Sequence, residues 1–285
     1  MFESFGRSWA LFKVSWSVLK KDKELLLLPV ITGIATALLW LSFLVPVFFF
    51  AVLGGISNAV YDVFFWIVLF VFYVVSYFIA IFFNAAIIGC ATIRLNGGDP
   101  TVRDGLRVAT TRIGKLLGWA FIAAIVGMIL HGAERAARNN IIARIALSFL
   151  EMAWSLATMF VVPVILYEDV GGFAALKRSA GVIKQTLGES IISQFTLSLV
   201  AFLFSLLGIA LIFAGVYVLI VYSLVLGVAL IIAAVAYFLF VSILFSALNG
   251  ILVAALYRYA KTGKIGEGYE QVMSTGGVAA RPVGA

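Results

Sequence analysis

The sequence predicts an all-α protein, a polytopic transmembrane helical bundle of about six spans, and two observations carry that prediction. From Ser190 to Tyr257 the chain runs 68 residues without Asp, Glu, Lys or Arg, and Leu25–Tyr61 and Val63–Ile93 are charge-free as well. A helix in water needs a polar face, so the solvent for these runs is lipid. The composition agrees: 64% of the 285 residues are hydrophobic and 12% are charged, where soluble domains carry about 25% charged residues. Hydrocarbon offers the backbone no hydrogen bonds, which leaves helices or a closed barrel. Barrel strands alternate apolar and polar over about 10 residues. These runs are continuous and much longer, so they are helices.

A helix needs about 20 apolar residues to cross a core of roughly 30 Å. On that measure the spans fall at about 25–53, 63–93, 114–133, 141–167, 191–216 and 225–257. The start Met1-Phe2-Glu3 lacks the basic character of a leader, and Lys20–Glu24 precedes the first apolar run. The first span is therefore expected to be retained rather than cleaved. Pro29 and Pro46 fall near its two ends, where a missing amide hydrogen bond is least costly. The last charge-free run has no polar turn for a third span and is expected to form one long hairpin. Cys90 is the single cysteine, so it pairs with no other in the chain and is expected to be a small packing residue.

Orientation follows from where Lys and Arg fall. With six spans, 17 of the 20 basic residues lie on one side, and Arg135, Arg138 and Arg144 lie on the other. Both termini are thus expected in the cytoplasm, with the chain a multi-pass protein of the cytoplasmic cell membrane. Residues 1–261 form a single transmembrane domain on this reading, and 262–285, Gly-rich and polar, a flexible cytoplasmic tail. The formal net charge is +7. Because the basic residues flank apolar spans, anionic lipid headgroups are the expected partner rather than nucleic acid.

Three cytoplasmic segments resemble each other: LFKVSWSVLKK at 11–21, GLRVATTRIGK at 105–115 and ALKRSAGVIKQ at 175–185. Their alignment superposes Lys13 with Arg107 and Lys177, Ser15 with Ala109 and Ser179, and Leu19 with Ile113 and Ile183. Each is amphipathic at helical spacing and precedes a pair of spans. The expected unit is an interfacial helix plus a transmembrane hairpin, repeated over 1–97, 98–170 and 171–261. In the first segment Phe5, Trp9, Phe12, Trp16 and Leu19 would face the acyl boundary while Arg7, Lys13, Lys20 and Lys21 reach phosphates. The headgroup-binding set on this reading is Lys13, Lys20, Lys21, Arg107, Arg112, Lys115, Lys177, Arg178 and Lys184. Asn84 and Asn249 precede Arg94 and Arg258 at the ends of their spans, and their offset of 165 nearly matches the 164 between Lys13 and Lys177.

The runs FFNAAIIGCATIRLNGGDPTVRDGLRVATTRIGKLLGWAFIAAIVGMIL (82–130) and AWSLATMFVVPVILYEDVGGFAALKRSAGVIKQTLGE (153–189), with the opening RSWALFKVSWSVLKKDKELLLLPV (7–30), resemble an uncharacterised family of prokaryotic six-span membrane proteins. The likeness covers nearly the whole chain apart from the tail. The stretch VVPVILYEDVGGFAALKRS is more distantly similar to the membrane domain of some bacterial glycerophosphoryl diester phosphodiesterases. The catalytic barrel of those enzymes has no counterpart in this chain, so the resemblance implies a fold and a location but no reaction.

Few residues offer chemistry. Glu151 falls ten residues into the fourth span, where a charge costs at least ~2.5–3.5 kcal/mol. Such a carboxyl either serves a proton or cation path or hydrogen-bonds a neighbouring helix. Arg144 shares its helix face at about 10 Å of helical rise. Asn84 and Asn249 are amides within apolar spans, suited to interhelical hydrogen bonds or to substrate contact. With Glu151 and Arg144 they make up the candidate intramembrane polar site. His131, Glu134, Arg135 and Arg138 read as a solvated outer patch, with Glu134 and Arg138 an i, i+4 pair. Zinc wants three or four converging ligands, and one His with scattered carboxylates does not supply them. No GxSxG, HExxH or GxxxxGK[ST] motif occurs, so no catalytic residue, metal or cofactor is expected. Gly97-Gly98-Asp99-Pro100 is a turn, followed by a Thr101/Asp104 capping box.

These features predict a non-enzymatic integral membrane protein that interacts with lipid or acts as a scaffold. The alternative is a small transporter or channel for a lipid or small solute with Glu151 in its path.

Overall fold

The computed structural model describes residues 2–53 and 59–263. Among them the chain forms nine α-helices and no strands: α1 (Phe2–Lys21), α2 (Leu27–Leu53), α3 (Ala59–Leu95), α4 (Val102–Thr110), α5 (Ile113–Ala136), α6 (Ile141–Thr158), α7 (Val161–Glu168), α8 (Gly172–Val221) and α9 (Leu224–Thr262). Six helical stretches are long and apolar enough to cross a membrane: 23–45, 66–95, 113–139, 141–168, 190–221 and 224–262. The protein is a multi-pass helical membrane protein with the expected number of spans. The expected tail, 264–285 for the most part, lies outside the described residues.

The chain divides into two compact units. Unit 1 comprises Met1–Leu26, Ala91–Asp99 and Thr186–Ala285, and unit 2 comprises Leu27–Cys90 and Pro100–Gln185.

In unit 1 the long apolar run folds as the expected hairpin. α8 and α9 are joined by Tyr222 and Ser223, whose amides both donate to the Val218 carbonyl at 2.9 Å. Small residues let the two helices approach. Of the small-residue steps at helical spacing, Ala85/Gly89, Ala123/Gly127 and Gly250/Ala254 are buried, and Ala210/Ala214 is exposed. Instead a side chain at Gly208 would meet the Phe238 ring, at Gly215 the backbone of Ile231, and at Gly227 the backbone of Leu219. α1 packs against α9, burying Val14, Ser15, Val18 and Leu19. This corrects the expected disposition of the first amphipathic helix: Leu19 faces protein rather than acyl chains, and Phe12 and Trp16 are half-buried. A helix docked on its neighbour gives its most apolar stripe to that neighbour first, because protein packs it more densely than lipid does. The side chains of Phe5, Arg7 and Trp9 lie outside the described residues.

At the end of α3, Arg94 holds Asp22 in a two-pronged ion pair through Nε and Nη2, and Nη2 also reaches Asp99. Asp22 is buried among protein atoms. Arg258 of α9 donates to the Asn96 side chain in the same turn.

In unit 2, α5 buries a stripe of Leu116, Trp119, Ala120, Ala123, Ala124 and Gly127. Gly127 abuts the Tyr77 hydroxyl of α3, and Phe70 packs edge-on against Phe121 at 5.4 Å. The aromatic second span is in part a packed wall, since Phe72 lies between Trp40 and Phe43, and in part outward-facing, since Trp66 is exposed. The capping box opens α4 as expected, with Asp104 N donating to Thr101 Oγ1 and Thr101 N donating to Asp104 Oδ2. Cys90 is buried, and its thiol donates to the Thr101 carbonyl at 3.3 Å. Gly105 presses against it so closely that a Cβ there would stand 2.4 Å from the Cys90 sulfur and 2.5 Å from the Ala86 carbonyl oxygen.

The three proposed repeat segments share part of their pattern. Lys13, Arg107 and Lys177 are all exposed, and Ser15, Ala109 and Ser179 are all buried, but Ile113 is exposed where Leu19 and Ile183 are buried. The third segment also runs without interruption into its span, within the single helix α8.

Candidate functional site

The fourth span is broken. Pro163 has no amide hydrogen to offer the Met159 carbonyl, so the helical ladder cannot pass through this point. α6 stops at Thr158, Phe160 adopts φ −102° and ψ 8°, and α7 begins at Val161. The buried hydroxyl of Ser179 accepts a hydrogen bond from the freed Phe160 amide at 3.1 Å. The residues that follow, Val161–Leu166, are all buried, while no residue of α6 is.

No side chain of α6 is fully buried, and the helix carries a polar stripe. Arg144, Ser148, Glu151, Ser155 and Thr158 recur at steps of four and three residues, which places them on one helix face. Opposite the first three stand Glu134 of α5 and Arg138 of the turn after it. Together Arg144, Ser148, Glu151, Glu134, Arg138 and Leu147 line a cleft of about 380 Å³. The Glu134 carboxyl lies within hydrogen-bonding reach of Glu151, with His131 close by. A side-by-side hairpin would leave about 5–8 residues of helical rise between the two acids, roughly 8–12 Å, so α6 departs from that course. At the other end Trp154 stacks on Trp119, ring centroids 6.0 Å apart.

His131 Nδ1 is 2.9 Å from the Gly127 carbonyl, which puts a proton on that nitrogen. Ser148 donates to the Arg144 carbonyl at 3.0 Å. None of the ion pairs among the described residues involves Glu134, Arg138, Arg144 or Glu151. The i, i+4 pair expected of Glu134 and Arg138 is thus replaced by a cleft into which both face. Nor do three His, Cys, Asp or Glu side chains among the described residues converge as metal ligands do.

A second, apolar groove adjoins the first. Ala133, Ala136, Ala137, Asn140, Ala143, Ala146, Leu147 and Leu150 line about 530 Å³. Leu147 forms part of both walls.

The other candidate residues lie apart from this cleft. Asn84 is half-buried in α3 of unit 2 and does not line it. Asn249 belongs to unit 1, where its side-chain oxygen accepts from Gln194 Nε2 at 2.9 Å. That bond is the interhelical glue expected of a polar amide in a span.

Among the ion pairs of the described residues, three of the basic residues expected at headgroups are engaged with protein carboxylates. Arg112 and Lys115 both bind Asp169, Lys115 at 2.6 Å, and Arg178 pairs with Glu168. Lys13, Lys20, Lys21, Arg107, Lys177 and Lys184 are exposed. Asp169 ends α7 in the left-handed region, φ 56°, which Asp tolerates better than most residues. The hydrogen bond from Lys115, together with Arg112, holds its carboxyl below the usual carboxylate range. A carboxyl lowered on folding stabilises above its unfolded pKa of about 3.9 and stops doing so as pH falls through the folded value. Asp169→Asn keeps the backbone preference and removes the charge. The variant is expected to melt below wild type at pH 7, with the gap closing below about pH 4. A gap that stays constant through the acid range would mean the clamp is not electrostatic.

Residues 63–267 match the sequence model of a family of unknown function, DUF6159. No curated protein and no solved structure matches the chain, so the distant phosphodiesterase likeness finds no support.

Proposed function

The chain belongs to that family of unknown function, and because membership brings no activity with it, we propose from the cleft that the protein is a small transporter or channel of the cytoplasmic membrane with Glu151 in the path of its solute. The supporting observation is the cleft itself. Two carboxyls and two guanidiniums face one cleft; three of them lie near the turn between the third and fourth spans, and Glu151, ten residues into the fourth, is the one at a depth where ionisable groups mark substrate or ion pathways. The break at Phe160 supports the same reading, since interrupted spans recur where transporters bind their cargo. The excess of basic residues at the opposite ends of the spans supports a reading with the cleft toward the external face.

The reading is non-enzymatic. The one hydroxyl in the cleft, Ser148, points its hydrogen at a backbone carbonyl rather than at a base. A role at the lipid surface accompanies it: exposed Lys13, Lys20, Arg107 and Lys177 favour contact with an anionic cytoplasmic leaflet, a contact expected to weaken when Lys13, Lys20 and Lys21 are changed to Gln.

Proteoliposomes test the transport reading with two reporters, a labelled lipid for movement between leaflets and an entrapped pH dye for ion leak. Wild type is expected to move one of them, and Glu151→Gln to slow it at least about tenfold, the effect of losing one charge-assisted contact of ~1.5–3 kcal/mol. Rates equal to those of protein-free vesicles would sink the reading.

A further inference from the structure

The cleft and the groove differ in chemistry and share a wall. The cleft carries two guanidiniums and two carboxyls, and none of the four has an ion-pair partner among the described residues. The groove beside it is lined by alanines and leucines, with the single amide of Asn140. Unpaired charges near hydrocarbon are costly, and a neutral ligand with separated charges answers all four. A plain anion leaves the glutamates without a partner, and a plain cation leaves the arginines without one. An apolar channel continuous with the charges, through Leu147, asks for an acyl chain attached to them.

We propose that cleft and groove together bind one zwitterionic amphiphile: its phosphate or carboxylate on Arg138 and Arg144, its primary ammonium between Glu134 and Glu151, and an acyl chain along Ala143 and Leu150. This names the cargo class of the site on which the transport reading rests. The ammonium supplies hydrogen-bond donors to both carboxylates, which a quaternary amine cannot. Planar Arg groups suit a two-pronged anion. At about 530 Å³ the groove has the volume of a small-ligand pocket, enough for part of one chain.

The purified full chain, equilibrated with equal amounts of phosphatidylethanolamine and phosphatidylglycerol, is weighed intact by native mass spectrometry. Retention of the ethanolamine lipid is expected to exceed that of the glycerol lipid at least about tenfold. Glu151→Gln and Arg144→Gln should each remove the preference, and Ala143→Leu, which fills the groove, should lower retention while leaving the melting profile intact. Free phosphoethanolamine should compete at least about tenfold less well than the lipid. Equal retention of the two lipids overturns the proposal, as does equal competition by phosphoethanolamine, which would assign the charges to a soluble zwitterion. The comparison of the two lipids on wild type decides the matter even where a charge variant fails to fold. Ethanolamine-lipid preference without flux defeats the transport reading alone, and flux without that preference defeats this proposal alone.

Discussion

Arg94→Ala is expected to destabilise unit 1 by about 3–5 kcal/mol, the cost of leaving one partner of a buried ion pair unmatched. The reason lies with Asp22 rather than with Arg94. The Asp22 side chain is 5% exposed and takes both prongs of the guanidinium. Removing the arginine strands a carboxylate that neither water nor another cation of the turn reaches, because Arg258 is spent on Asn96. Unfolding in mixed detergent, followed by circular dichroism, measures the loss. Arg94→Lys should recover only part of it, since an ammonium is a point charge without the fork. The double change Asp22→Asn with Arg94→Met should recover more, because it removes both charges together. A single variant within about 0.5 kcal/mol of wild type would show that Asp22 is solvated after all.

The second large effect is steric. Gly227→Ala places a Cβ 2.4 Å from the Leu219 Cα and 2.5 Å from its amide nitrogen. Both atoms are backbone, so no rotamer change relieves the overlap and the α8–α9 hairpin must open. Overpacking costs typically 1–3 kcal/mol, and a backbone clash belongs at about the upper end of that range. Gly188→Ala is the control: it lies in α8, meets nothing within 4 Å, and should be neutral or stabilising by up to about 1 kcal/mol, because alanine is the better helix former. If the two variants melted alike, close approach at Gly227 would not be what closes the hairpin.

The spans were legible because a charge-free run of helical length has only one solvent. The single hairpin in the last run was legible too, from the lack of polar residues for another turn. Packing partners were harder. Of four small-residue steps at helical spacing, Ala85/Gly89, Ala123/Gly127 and Gly250/Ala254 are buried and Ala210/Ala214 is exposed, while Gly208, Gly215 and Gly227 take the close contacts of the hairpin, since periodicity marks a face but not which face meets protein. The ion pair of Asp22 and Arg94 joins residues 72 positions apart, and nothing local announces it. In the candidate site, Glu151 and Arg144 were visible as charges inside a span. Their company was not: Glu134 and Arg138 read as solvated loop because an ideal hairpin keeps them a turn or more above Glu151. Two signals were available. Pro163, in the last third of the fourth span, forecast the break, and Arg144, Ser148, Glu151, Ser155 and Thr158 forecast a helix with one polar face.

That polar face also bears on how the protein is made. As the fourth span leaves the ribosome, a lateral gate must pass it to lipid, and each mid-span charge argues against release by about 2.5–3.5 kcal/mol. α7, only 8 residues long, is too short to compensate by itself. The preceding helix brings Glu134 and Arg138 to the same cleft, so the third and fourth spans can leave the gate as a pair with their charges turned toward each other. A chain cut off after Glu168 should then anchor stably, whereas the fourth span fused alone to a reporter should slip through into the lumen of the secretory channel. For the third and fourth spans, the expected unit of insertion is two helices rather than one.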